Sequence, residues 1–190
     1  SSDIGNNCAI GNAYPTFEET RRYLAPGLFG PCGYGLPSVI GAKIGRPDVP
    51  VVGFSGDGAF GIAVNELTAI GREEWPAVTQ IVFRNYQWGA EKRNSTLWYD
   101  DNFVGTELDT QVSYAGIAKA CGLQGIVAKT MDELTEALHT AIKDQMENGK
   151  TTLIEAMINQ ELGEPFRRDA MKKPVAIAGI SVSDMREQAV

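Results

Sequence analysis

The chain has 190 residues, 43% of them hydrophobic and 22% charged, enough to bury one full core and of a size usual for a single globular domain. Its formal net charge of -7 argues against a nucleic-acid or anionic-membrane surface, because both need clustered Lys and Arg to displace counterions. No apolar run approaches the roughly 20 residues of a membrane helix, and Cys8, Cys32 and Cys121 are too scattered for a disulfide framework or a zinc site, so a cytoplasmic protein is expected.

In chain order, the start SSDIGNN lacks Met and the charged-then-apolar order of a signal peptide, and it reads as the end of a strand, so a fragment of a longer chain is expected. A helix is predicted over 36–44, a strand over 49–54, a helix over 62–74 and a strand over 78–83. A helix over 114–121, a strand over 123–128, a helix over 132–147 and a strand over 152–158 follow. The strand runs are apolar on both faces, which suits strands covered on both sides, and their alternation with helices predicts an α/β fold with a parallel sheet and helices on both faces. Thr130 and Glu133 form a capping box with Gly149 closing the same helix, and Ser113 and Gly122 bracket the one before it. The lone His139 is predicted on the surface, and Glu73, Glu74, Lys172 and Lys173 read as solvated charges. Residues 1–160 are expected to form the domain, and 161–190, with prolines, charges and no period, a tail packing over it or over a neighbour.

The stretch VGFSGDGAFG, residues 52–61, is a predicted strand running into a helix and contains G-x-G-x-x-G. In a dinucleotide site these glycines let backbone N–H groups hold a pyrophosphate, yet Asp57 between Gly56 and Gly58 would set one negative charge against another. A divalent cation between them removes the repulsion, and Mg²⁺ readily bridges protein oxygens to a diphosphate. The second oxygen should come from the carboxyl end of the neighbouring strand, where Arg84-Asn85-Tyr86-Gln87 ends the run VTQIVF and Asn85 offers a neutral amide oxygen.

GDG followed by Asn85 resembles the metal-diphosphate motif of thiamine diphosphate enzymes. That resemblance implies Mg²⁺ ligation by Asp57, the Asn85 side chain and the Gln87 carbonyl, with Gly56 and the backbone of Gly58, Ala59 and Phe60 meeting the diphosphate. DIGNN and FGPCGYGLPSVIGAKIG resemble the cofactor-facing opening of acetolactate-synthase-like enzymes, which places Gly30 and Cys32 beside the aminopyrimidine. Across nearly the whole chain, with QWGAEKRN and ELGEPFRRDA the more specific segments, the sequence is similar to the C-terminal cofactor domain of the sulfoacetaldehyde acetyltransferase family.

The family's reaction converts sulfoacetaldehyde and phosphate to acetyl phosphate and sulfite. Membership would imply thiamine diphosphate and Mg²⁺ as cofactors and a homodimer or homotetramer. An activating glutamate would come from an upstream pyrimidine-binding domain of the same or a partner subunit. Arg84, Lys92 and Arg93, the last two read as loop residues, and Arg167 and Arg168 are candidates for the substrate anions. Other readings are an acetolactate-synthase-like carboligase or 2-oxo acid decarboxylase, an NAD-binding module, and a non-catalytic module that kept the fold.

Overall fold

A computed structural model describes residues 1–161 of the chain. Most of the predicted tail, with Arg167, Arg168, Lys172 and Lys173, lies outside the described residues. Within them run, in order, α1 (Asn6–Ala13), α2 (Gly35–Gly45), β1 (Val52–Gly56), α3 (Asp57–Ile62), α4 (Glu66–Ile70) and β2 (Thr79–Arg84). Then come α5 (Gly89–Trp98), α6 (Tyr114–Ala120), β3 (Gln124–Ala128), α7 (Met131–Glu147) and β4 (Thr152–Met157).

All four strands are parallel, in the order β1-β2-β4-β3. The central strands β2 and β4 are buried at nearly every position, as their two-sided apolar runs require. Val82 and Leu153 look toward α2, α3, α4 and α6 in one core, while Ile81 and Ile154 pack on Ala137 and Ala141 of α7 in the other. The fold is therefore α/β, with the sheet between helical layers. Outside β1, Ser2 pairs in parallel with Phe54, so the first residues continue the sheet.

The capping signals are realised. Thr130 Oγ1 accepts from the Glu133 N–H at 3.2 Å, and the Glu133 carboxylate returns to the Lys129 N–H at 2.6 Å, one residue before the usual partner of a capping box. Ser113 caps α6 through the Gly116 N–H at 3.1 Å. His139 is exposed. No helix among the described residues is long and apolar enough to cross a membrane.

Two expectations are corrected. The helix predicted over 62–74 is two short ones, and the first begins five residues earlier because Asp57 itself is helical; i to i−3 bonds at Ala63, Glu66 and Leu67 tighten the chain between them. Lys92 and Arg93, read as loop residues, lie on α5. That helix buries no residue, so it carries no apolar period to betray it. Helix α1 escaped the reading because Asn6, Asn7, Gly11 and Asn12, half of its eight residues, are poor helix formers and its buried positions make no apolar stripe.

Gln145 is a buried polar residue on α7 that sequence patterning did not single out. Its amide accepts from the Val51 N–H and donates to the Val51 carbonyl, both at 2.8 Å, and donates to Thr79 Oγ1 at 3.0 Å, so it ties α7 to the entry of β1. Gln145→Leu fills the space yet leaves the half-buried Val51 N–H unpaired, and leaves the Val51 carbonyl with only the Thr79 N–H, at 3.2 Å. The expected loss is about 2 kcal/mol, a fall in Tm of about 4–8 °C by thermal unfolding; an unchanged Tm would refute the tie.

Candidate functional site

Beyond the carboxyl ends of β1 and β2 opens a cleft of about 1050 Å³. Gly56, Asp57, Gly58 and Ala59 line it from the β1–α3 junction, Asn85 and Gln87 from the end of β2, and Gly30 and Cys32 from the loop before α2. The junction exists because Gly56 is still extended, at φ -72° and ψ 157°, and the chain turns helical at the next residue. Gly56 offers α3 no side-chain cap, and of the first-turn N–H groups Gly58's is taken by Asp57 Oδ1, which leaves the Ala59 N–H free of a capping side chain and able to serve an anion.

Asp57 is 1% exposed. Its Oδ2 accepts from the Tyr86 N–H at 2.7 Å, the Asn85 N–H at 3.1 Å and Arg84 Nη1 at 3.3 Å, whereas Oδ1 accepts only from the Gly58 N–H at 3.0 Å. Burial pushes the Asp57 carboxyl up, against the pull of these same donors. Tyr86 is held at φ 62°, a left-handed conformation costing about 1–3 kcal/mol for a bulky residue, and so turns the chain between Asn85 and Gln87 back toward Asp57.

The Asn85 amide faces Asp57 Oδ1 and the Gln87 carbonyl. With its nitrogen turned inward it donates to them at 3.3 and 3.1 Å. With its oxygen inward, the Asn85 oxygen stands at those distances from the other two oxygens and accepts from the Gln87 N–H at 3.3 Å. An octahedral Mg²⁺ with oxygens at about 2.1 Å has neighbouring ligands about 3.0 Å apart. The donor set therefore fits a hard divalent cation, and the amide can close the gap by hydrogen bonding when the cation leaves.

The α3 side of the cleft is shaped by Trp88, which sequence reasoning missed. A Cβ on Gly58 would lie 2.7 Å from the Trp88 indole, so the first turn of α3 can lie against the ring only as glycine. Phe60 contributes its backbone to that turn, while its side chain is fully buried edge-on to Tyr114, at 5.0 Å between centroids. Asp3, from DIGNN, is also buried. It accepts from the Ile4, Gly33 and Gly35 N–H groups at 2.8, 3.1 and 2.8 Å, and so holds the loop carrying Gly30 and Cys32 at the cleft. Cys32 is exposed on the cleft wall, and partial burial of its thiol, with Asp3 and Glu91 nearby, pushes its pKa up.

The basic candidates separate. Arg84 does not reach the cleft: it is 1% exposed, and its guanidinium is spent on Asp57, on Glu155 and on the carbonyls of Asp109 and Val112. The expectation that it faces a substrate anion is corrected, because the end of β2 turns this side chain into the core. Lys92, on α5, pairs with Glu107 and lies over the Phe103 ring, 5.2 Å from its centroid. Arg93, on the same helix, lines the cleft.

Residues 3–156 match the family of thiamine pyrophosphate enzymes, C-terminal TPP binding domain. The chain is 86% identical over its full length to sulfoacetaldehyde acetyltransferase of Roseovarius nubinhibens, covering 31% of that protein. It is 48% identical over 92% of its length to sulfoacetaldehyde acetyltransferase of Alcaligenes xylosoxydans xylosoxydans, covering 29% of that protein. To the acetolactate synthase large subunit of Corynebacterium glutamicum it is 30% identical over 96% of its length, covering 28%. Among solved structures, a thiamine diphosphate-dependent 4-hydroxybenzoylformate decarboxylase of Rhodococcus jostii RHA1 superposes with TM-score 0.61 at 26% identity, over 74% of this chain and 25% of that one. The chain thus spans about a third of the length of the curated relatives it matches.

Proposed function

Because the chain belongs to the C-terminal TPP-binding domain family of thiamine pyrophosphate enzymes, we propose that it is the diphosphate- and Mg²⁺-binding part of an enzyme converting sulfoacetaldehyde and phosphate to acetyl phosphate and sulfite. The observation that carries the cofactor reading is the convergence of Asp57 Oδ1, the Asn85 amide and the Gln87 carbonyl beside the uncapped first turn of α3. The substrate reading is supported by the 86% identity along the whole chain.

Asp57, Asn85 and Gln87 would hold Mg²⁺, and the backbone at Gly56, Gly58, Ala59 and Phe60 would meet the diphosphate. Gly30 and Cys32 would stand beside the aminopyrimidine. When bound, thiamine diphosphate supplies the electron sink at the aldehyde carbon. The residues of this chain orient it: Trp88 supports the turn at Gly58, and Tyr86 holds the ligand-bearing bend closed. Arg93 is the described cation on the cleft wall suited to a sulfonate or phosphate.

An upstream pyrimidine-binding domain, from the same or a partner subunit, would close the cleft and bring the activating glutamate, in a cytoplasmic homodimer or homotetramer. Leu28 at 109% and Phe29 at 92% exposure, next to the cleft residue Gly30, support such a covering partner. Residues 1–160 would form the cofactor domain, and on this reading the isolated chain binds cofactor weakly and does not turn over.

The test is sulfite release from sulfoacetaldehyde by the full-length protein, with acetyl phosphate followed in parallel. Both products are expected to require phosphate, and both to disappear on chelation of Mg²⁺ and return when it is restored. Consumption of pyruvate without sulfite would replace this reading with a carboligase or decarboxylase.

A further inference from the structure

Arg84 closes β2 one residue before Asn85, yet its guanidinium grips two separate parts of the site from behind. Nη1 donates to Asp57 Oδ2 at 3.3 Å, and Nη2 donates to the carbonyls of Asp109 at 2.6 Å and Val112 at 2.9 Å. Nε lies 3.5 Å from Glu155 Oε1, and the group sits over the rings of Tyr86 and Tyr114, 4.3 and 5.1 Å from their centroids. The segment held at Asp109 and Val112 continues from the one that backs the metal-ligand bend: Trp88 donates its N–H to the Thr106 carbonyl and Leu108 donates to the Tyr86 carbonyl, both at 2.8 Å.

We infer that Arg84 is a positioning residue for the cation: it engages Asp57 Oδ2 so that Oδ1 is the ligand, and couples that choice to the seating of residues 106–112 behind Asn85 and Gln87. This rests on the Mg²⁺ reading above. The planar fork matters because one group must reach a carboxylate, two carbonyls and Glu155 from a single point, which a lysine ammonium on a flexible stem cannot do. Charge alone argues the opposite sign. Arg84 is a cation beside the ligand Asp57, and on Coulombic grounds its loss should tighten Mg²⁺ binding. Positioning predicts that its loss weakens it.

The deciding experiment titrates Mg²⁺ calorimetrically into the full-length protein at saturating thiamine diphosphate, for wild type, Asp57→Asn, Arg84→Lys and the charge-balanced double variant Arg84→Met/Glu155→Gln. The double variant leaves no buried charge without its partner at the Arg84–Glu155 pair, which favours folding. Its Mg²⁺ dissociation constant is expected to rise about 10- to 100-fold, with turnover recovering toward wild type at high Mg²⁺ and with faster proteolysis within residues 99–112. Unchanged or tighter Mg²⁺ binding in a folded double variant overturns the inference. Should that variant not fold, Arg84→Lys decides: weaker Mg²⁺ binding supports positioning, and wild-type binding refutes it. Loss of Mg²⁺ binding in Asp57→Asn with wild-type binding in both Arg84 variants removes this inference alone. Wild-type binding in Asp57→Asn removes the metal reading and this inference with it.

Discussion

Asp57→Asn in the full-length protein is expected to lose Mg²⁺ binding by at least about a hundredfold, and with it tight binding of thiamine diphosphate, since even residues that merely support a metal ligand cost 10- to 100-fold when removed. The asparagine keeps the shape and can still accept from the Tyr86 and Asn85 N–H groups, losing only the acceptor of the Gly58 N–H, so its cost in stability is expected to be smaller than that of an alanine. Asp57→Ala should differ. It leaves those two N–H groups and Arg84 Nη1 without the acceptor they now share, while Glu155 still neutralises the guanidinium. A loss of about 3 kcal/mol follows from the unpaired buried donors. Calorimetric Mg²⁺ titration and thermal unfolding of the two variants separate ligand from scaffold. An Asp57→Asn protein that binds Mg²⁺ like wild type would sink the metal assignment.

Gly58→Ala is the second substitution expected to act strongly. The new methyl would stand 2.7 Å from two atoms of the Trp88 indole, so either the ring swings into the cleft or the first turn of α3 lifts away from it. Overpacking of this kind costs about 1–3 kcal/mol, or roughly 5- to 150-fold if it falls on cofactor affinity. The expected result is thiamine diphosphate binding weakened within that range, with much of the loss recovered in Gly58→Ala/Trp88→Leu, where the smaller side chain makes room. If the single variant binds as wild type does, the turn at Gly58 does not carry the diphosphate. If the double variant recovers nothing, the indole is not the obstacle.

Much of the architecture was legible in the order of residues. β2 and β4 showed themselves as largely apolar runs, broken by Gln80 and Glu155, because both their faces are covered, and α7 showed a capping box and a closing glycine. α5 and α1 did not show. α5 buries nothing, and α1 buries Asn7, Cys8 and Gly11, which form no apolar stripe, so neither carries the periodic signal on which such readings depend. In the site, Asp57 stood out because its charge contradicts a bare pyrophosphate loop, and Asn85 because it ends the adjacent strand.

A clue to Arg84 was present and passed over. Glu155 lies inside TLIEAM, a strand buried on both faces, where a lone carboxylate requires a buried partner, and the cation ending the neighbouring strand is that partner. Its position beside Asn85 suggested instead that it served a substrate.

By itself the sequence determined the parallel α/β fold, the strand-end location of the site and the kind of oxygen offered to a cation, because local hydrophobic period and residue chemistry are properties of neighbours along the chain. Tertiary structure alone decided which way the side chains at that place turn. The left-handed bend at Tyr86, the indole against Gly58 and the guanidinium drawn in by Asp57, Glu155 and two carbonyls come from contacts between residues far apart in sequence. Burial makes those contacts obligatory, since each polar group taken out of water must find its partner wherever the fold brings one within reach.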